Sequence, residues 1–324
     1  MFPRLWKFLQ IAVVLSLLTS CGAFEPAPAT RAPLRVEFSS WWGDYTLIIA
    51  KERGLFEKYG VDVEPVYYDV YYKSLADLSA GQLDGALMNI GDALNTSRHA
   101  NIVIPAVYDD GGPNTVVASP DITRVPDLKG KRIGVPIGST YELFVVQMLE
   151  TGGLKLSDVS LFDYDPADVP AALGVDIDAG FSWEPYTGEA LSKGNRILFK
   201  SNETSMLFPD VIVFRREVVE SQPDQIRAFL RAWFEAVEFR RQNPQAARQI
   251  IAEYLKVPQD AIEFNSPVTL FNRENNLDLY RVGADGGASP IQQIASINTD
   301  FLVRVGTLTS NPDFNAMLDE SYLR

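Results

Sequence analysis

Five short stretches of the sequence carry groups able to hold a small molecule. Ser40, Trp41, Trp42, Gly43 and Asp44 set two indoles beside a carboxylate, and indoles stack on planar or cationic partners. At least one of the two faces a solute; the other is suited to packing under the helix that follows. Asn89 stands just beyond a strand pattern, while Asp92 fits either a ligand contact or the cap of the next helix. Asp109, Asp110, Gly111 and Gly112 read as a solvated turn or as a place where backbone approaches a ligand closely. Gly138, Ser139, Thr140 and Tyr141 open a helix whose free N–H groups could receive a sulfonate or carboxylate, with Ser139 or Thr140 as cap. Trp183 and Glu184 add a third indole and an acceptor for an amine or aminopyrimidine.

None of these loops contains Lys or Arg. The pairing of Asp44, Asp92, Asp109 and Glu184 with three tryptophans therefore favours a neutral or amine-bearing solute over a fully charged anion. Tyr67, Tyr68, Tyr71 and Tyr72 could add aromatic walls, with half of them facing solvent.

Other chemistries are poorly supplied. The chain has one histidine, His99, and one cysteine, Cys21, so no Ser-His-Asp set, two-histidine metal site or internal disulfide can be assembled. No metal and no cofactor is expected. Carboxylates alone could support acid–base work, which leaves an enzyme as a rival reading. The formal net charge of −13 argues against nucleic acid and anionic lipid as partners.

The N-terminus predicts location. Arg4 and Lys7 precede an apolar run from Ile11 to Leu18, followed by Leu-Thr-Ser-Cys at 18–21. This is the layout of a secretory signal over residues 1–20, too short to span a bilayer comfortably. Its end resembles a bacterial lipobox, which would make Cys21 a lipid attachment point; the alternative is an ordinary cleaved signal with an incidental cysteine. Loss of residues 1–20 removes two basic residues and no acid, leaving −15. Residues 21–33, rich in Ala and Pro, read as an extended tether.

The candidate loops need elements to hold them. Strand patterns at 34–40, 61–68, 86–90 and 102–109 alternate with helical patterns at 46–60, 73–85 and 91–100, an α/β order. The rhythm breaks at 109–114 and resumes through 115–119, 126–154, 159–165 and 177–191. A return strand is expected within 208–219, and 223–255 is helical with a break at Pro244. Phe229, Trp233 and Val237 in that helix form a stripe suited to a core. Residues 263–300 carry no readable motif.

The stretches GDYTLIIAKERGLFEKYGVDVEPV, LSAGQLDGALMNIGDAL, DLKGKRIGV, GSTYELFVVQML and AGFSWEPY, in that order over residues 34–190, resemble the successive signatures of the SsuA/TauA/NMT1/THI5-like solute-binding proteins. The resemblance implies an α/β, two-lobed type II periplasmic-binding-protein fold, each lobe a mixed sheet flanked by helices, with the cleft between lobes. It divides the chain into 34–111 as the first part of lobe I, 112–207 as lobe II, and 208–324 as the return to lobe I. It further implies a monomeric extracytoplasmic receptor with a small-molecule solute, partnered by the permease and ATPase of an ABC importer. A membrane-anchored sensor is the alternative output. The family also includes a pyrimidine synthase that uses histidine and a cysteine-rich motif, which this chain lacks.

Overall fold

The computed structural model describes residues 32–201, 208–262, 268–284 and 286–324. The proposed signal, Cys21 and nearly all of the tether lie outside the described residues.

Each strand forms where apolar and β-branched residues cluster between turn signals. The first sheet contains β1 (Leu34–Phe38), β2 (Val63–Tyr67), β3 (Gly85–Asn89) and β4 (Ile102–Asp109), and the second β5 (Thr115–Ala118), β6 (Arg132–Val135), β7 (Ser160–Asp163), β8 (Ala179–Ser182) and β9 (Arg196–Lys200). The chain then returns to the first sheet as β10 (Asp210–Arg215). Strand order is β2-β1-β3-β10-β4 in one sheet and β7-β6-β8-β5-β9 in the other. Both sheets are mixed, because β10 runs antiparallel between β3 and β4 and β5 runs antiparallel between β8 and β9. The rest of each sheet is parallel, with helices as crossovers, as expected of an α/β chain.

The chain thus passes between sheets after Asp109 and again before Asp210, and these two residues are opposite each other in the β4–β10 register. Parallel strands direct their C-terminal ends, and the helix starts that follow, toward one edge of a sheet. Here those edges face each other, and the loops read from the sequence fall on them.

The helix expected over 46–60 is two helices, Thr46–Glu52 and Leu55–Tyr59, separated by Gly54 at φ +63°. Beneath them runs helix Pro223–Gln242, started by its proline and carrying a stripe of Ile226, Phe229, Leu230, Trp233 and Val237, all buried. Phe229 stacks on Phe56 at 5.4 Å and on Trp233 at 6.1 Å. Deleting a fully buried tryptophan side chain here costs about 3–5 kcal/mol.

The described part of the unread C-terminal region packs on both sheets. Helix Pro290–Arg304, opened by a Ser289–Gln292 capping box, buries Ile291, Ala295 and Leu302 in the core of the first sheet. Its Phe301 instead joins the core of the second sheet, and Thr307 Oγ1 donates to the Gly138 carbonyl at 2.7 Å. The C-terminal segment therefore straps the two sheets together beyond their two covalent crossings.

Candidate functional site

Between the facing sheet edges lies a cavity of about 170 Å³. Its construction starts at Asp44. Asp44 is 1 % exposed and, rather than capping the next helix, folds its own loop: Oδ2 accepts from the Ser39 amide at 2.8 Å and from Ser39 Oγ at 2.7 Å. Its Oδ1 accepts from the Tyr108 hydroxyl at 2.6 Å, which ties the loop to β4. Burial pushes this carboxyl up to about 6, with the hydrogen bonds from Tyr108 and Ser39 opposing the shift.

The two tryptophans divide. Trp41 lines the cavity and donates its indole N–H to Asp109 Oδ2 at 2.9 Å. Trp42 lies in the core of the first sheet, and its carbonyl accepts from Arg240 Nη1 at 2.7 Å. Gly43 is required by proximity: a Cβ there would stand 1.9 Å from Asp109 Oδ2. Arg240, buried behind this loop, is pushed down to about 10 by burial despite the charges of Asp109, Tyr45 and Asp44.

Asn89 lines the cavity and also caps helix Ile90–Thr96, its Oδ1 accepting from the Gly91 amide at 2.9 Å. The cap considered for Asp92 is thus supplied by Asn89. Asn89 Nδ2 donates to the Phe208 carbonyl at 2.7 Å and to Asp210 Oδ1 at 3.2 Å. Asp92 is buried outside the lining, where its Oδ2 accepts from Tyr71 at 2.9 Å and Tyr141 at 3.2 Å. Desolvation raises it to about 6.

Asp109 is not part of a solvated turn, whereas Asp110 is half-buried. Asp109 is fully buried, accepts from Trp41 and from the Gly111 amide at 2.7 Å, and is hydrogen-bonded to the Asp210 side chain. Two carboxyls so joined share a proton. Burial pushes Asp109 up to about 7, and burial together with the Asp109 charge holds Asp210 well above the ordinary range. Asp110 accepts from the amides of Gly112 and Thr269. Gly111 has φ +77°, and a Cβ on it would meet the Phe208 carbonyl oxygen at 1.9 Å.

At the second sheet, helix Thr140–Thr151 is capped by Ser139, whose Oγ accepts from the Tyr141 amide at 3.2 Å. The anion-receiving position expected at this helix start already holds the helix's own carboxylate, Glu142 Oε2, which accepts from the Gly138 amide at 2.8 Å. Thr140 is buried against Gly91, where a Cβ would lie 2.0 Å from Thr140 Oγ1. Tyr141 reaches the cavity, as does Trp183, 5.3 Å away between ring centres. Glu184, which precedes a cis proline, accepts from the Gly188 amide at 3.0 Å and is not in the lining.

Of the twelve residues proposed from sequence, Ser40, Trp41, Asp44, Asn89, Tyr141 and Trp183 line the cavity, and Trp42, Asp92, Asp109, Ser139, Thr140 and Glu184 stand outside the lining. The tyrosine run divides as well: Tyr68 and Tyr71 line the cavity and Tyr67 and Tyr72 do not. Residues that sequence reasoning did not reach are Asp69, Tyr108, Asn114, Asp165, Asp168, Tyr186 and Asp210. Tyr108 sits one position before a residue that was proposed, and both side chains reach Gly43. Asp210 was findable only by knowing which strand pairs with β4.

The lining therefore carries Asp44, Asp69, Asp165, Asp168 and Asp210, seven aromatic rings, and no Lys, Arg or His. His99 lines a separate surface groove with Arg98 and Arg216. Among the described residues there is no cluster of His, Cys, Asp and Glu fit to hold a metal ion.

Residues 45–247 match the family model described as NMT1/THI5 like. A provisionally named binding protein of Brucella abortus (strain 2308) is 30% identical over 263 residues, which is 79% of this chain and 80% of that protein. A provisionally named aliphatic sulfonates-binding protein of Bacillus subtilis (strain 168) is 24% identical over 97% of this chain and 94% of its own length. In structure, the periplasmic aliphatic sulphonate binding protein SsuA from Escherichia coli aligns with a TM-score of 0.69 at 20% identity, covering 89% of this chain and 92% of that one. That likeness establishes the fold, a two-sheet periplasmic-binding-protein architecture. The match of residues 45–247, together with the 30% identical relative, places this chain in the NMT1/THI5-like family.

Proposed function

We propose that this chain is an extracytoplasmic solute-binding lipoprotein, anchored through Cys21, that captures a small organic solute in the cleft between its sheets and delivers it to the permease of an ABC importer. The favoured solute is amine-bearing or pyrimidine-like. The observation that carries this reading is the cavity lining itself: five carboxylates and seven aromatic rings, with no basic side chain. An anion would have to be bound against that field, and the helix start best suited to receive one is filled by Glu142. The relatives named for sulfonates share the architecture at 24% and 20% identity, which leaves room for a different solute.

The cleft also suits capture and release. Crossings at Asp109–Thr115 and before Asp210 connect the sheets, and among the described residues Tyr141–Asp92, Tyr186–Ser40 and Thr307–Gly138 are polar links between them. Among the described residues no helix is long and apolar enough to cross a membrane, so attachment by Cys21 is the membrane link proposed. A thermal-shift panel on the mature protein tests the solute class. Stabilisation by amines or aminopyrimidines is expected; stabilisation by sulfonates or nitrate alone would overturn it.

A further inference from the structure

The inner wall of the cavity differs chemically from its rim. At the rim, Asp69 and Asp168 are exposed and Asp165 is half-buried. On the inner wall the carboxylates are buried and already engaged. Asp44 accepts three hydrogen bonds from Ser39 and Tyr108, and Asp210 is held by Asn89 and by its partner Asp109. The polar tips of the rings are engaged too. Tyr71 and Tyr141 donate to Asp92, Tyr108 to Asp44, and the Trp41 indole to Asp109. What the inner wall offers an incoming head group is therefore aromatic surface backed by negative charge, with its carboxylates and these ring tips already hydrogen-bonded to protein groups and the Asn114 side chain as a further polar group.

That environment discriminates among cations. A primary ammonium entering it would bring three N–H donors, and each one left unpaired after leaving water weakens binding. A nitrogen whose hydrogens are replaced by methyl groups has no donor to satisfy. It is drawn to ring faces by the cation–π interaction and to the carboxylates through space.

Building on the reading of this cleft as a site for nitrogenous solutes, we propose that its inner wall is a cage for a quaternary or fully alkylated ammonium head, between Trp41 on one side and the mutually packed Tyr141 and Trp183 on the other, with Asp44 and the single negative charge of the Asp109–Asp210 pair supplying the countercharge. The rim carboxylates then draw the cation in and can accept hydrogen bonds from the hydroxyl or amine end of the same solute.

The test is calorimetric titration of the mature protein at pH 8 with choline, its stepwise N-demethylated analogues down to ethanolamine, and taurine. Affinity should rise with each methyl group, choline exceeding ethanolamine by about tenfold or more. Trp183→Leu should lose most of the choline affinity and Trp183→Phe should restore a large part of it, with circular dichroism confirming that both variants fold. Ethanolamine binding as tightly as choline would overturn the cage and leave the nitrogenous-solute reading standing. Binding of taurine with none of the amines would overturn both. Absence of binding across the choline series would overturn the cage.

Discussion

Tyr141 donates its hydroxyl to the buried carboxylate of Asp92 at 3.2 Å, and this bond joins the helix after β6 in one sheet to the helix after β3 in the other. Tyr71 reaches the same oxygen from the first sheet at 2.9 Å. A single carboxylate outside the cavity thus positions two of the cavity's rings and ties the lobes together. The consequence is that removing one hydroxyl should act on cleft closure before it acts on the fold. Tyr141→Phe should weaken solute binding by about 10- to 100-fold, consistent with loss of a charge-assisted hydrogen bond of about 1.5–3 kcal/mol. Its small-angle scattering profile should shift toward a more open particle. An unchanged profile with unchanged affinity would remove Asp92 from the closure mechanism.

The adjacent indoles should respond in opposite ways. Trp41→Phe keeps a ring in the lining but removes the N–H that Asp109 accepts, so solute affinity should fall while the melting temperature changes modestly. Trp42→Phe alters core packing and should cost about 1–2 kcal/mol of stability in urea denaturation with affinity retained. Affinity lost in Trp42→Phe and kept in Trp41→Phe would reverse the assignment.

Buried acids set the pH response. Asp44 and Asp92 are raised to about 6 and Asp109 to about 7, chiefly by burial. For an acid whose folded value lies above its unfolded one, the stability is fully present below the unfolded value and is lost as pH rises to the folded one. Unliganded protein should therefore lose stability between about pH 4 and pH 7, at up to about 1.4 kcal/mol per pH unit per group. Asp77 and Asp178 act in the other direction, lowered by hydrogen bonds from Tyr68 and Arg132 respectively, and their stability is lost as pH falls below about 4. A stability optimum near pH 4–5 follows. A cationic solute should bind more tightly as pH rises through the same window, because the carboxylates that attract it are then charged. Denaturation curves from pH 3 to 8 check the first statement and calorimetry checks the second. Stability rising from pH 5 to 8 would contradict the burial account.

The architecture was legible because hydrophobic periodicity and turn chemistry are local. Strand β4 falls where the alternation places it, at Ile102–Asp109, and Pro244 breaks the long helix as its missing N–H requires. Half of the proposed site residues line the cavity, since strand ends in an α/β sheet can be read from the pattern. The other half share those loops but were claimed by neighbours that lie far away in sequence. Asp92 belongs to two tyrosines, Asp109 to Trp41 and Asp210, and Thr140 to Gly91. Asp210 and the strap formed by Phe301 and Thr307 depend on pairings 101 to 169 residues apart. Short-range pattern holds no signal for those.

The cleft is proposed to select a solute with a cationic nitrogen. Mass spectrometry of small molecules released from the mature protein, purified from its native envelope without denaturation, tests it most directly. A bound compound with a cationic nitrogen is expected, released chemically unchanged and absent from the Asp44→Asn variant. Recovery of a sulfonate or nitrate in stoichiometric amount would contradict it.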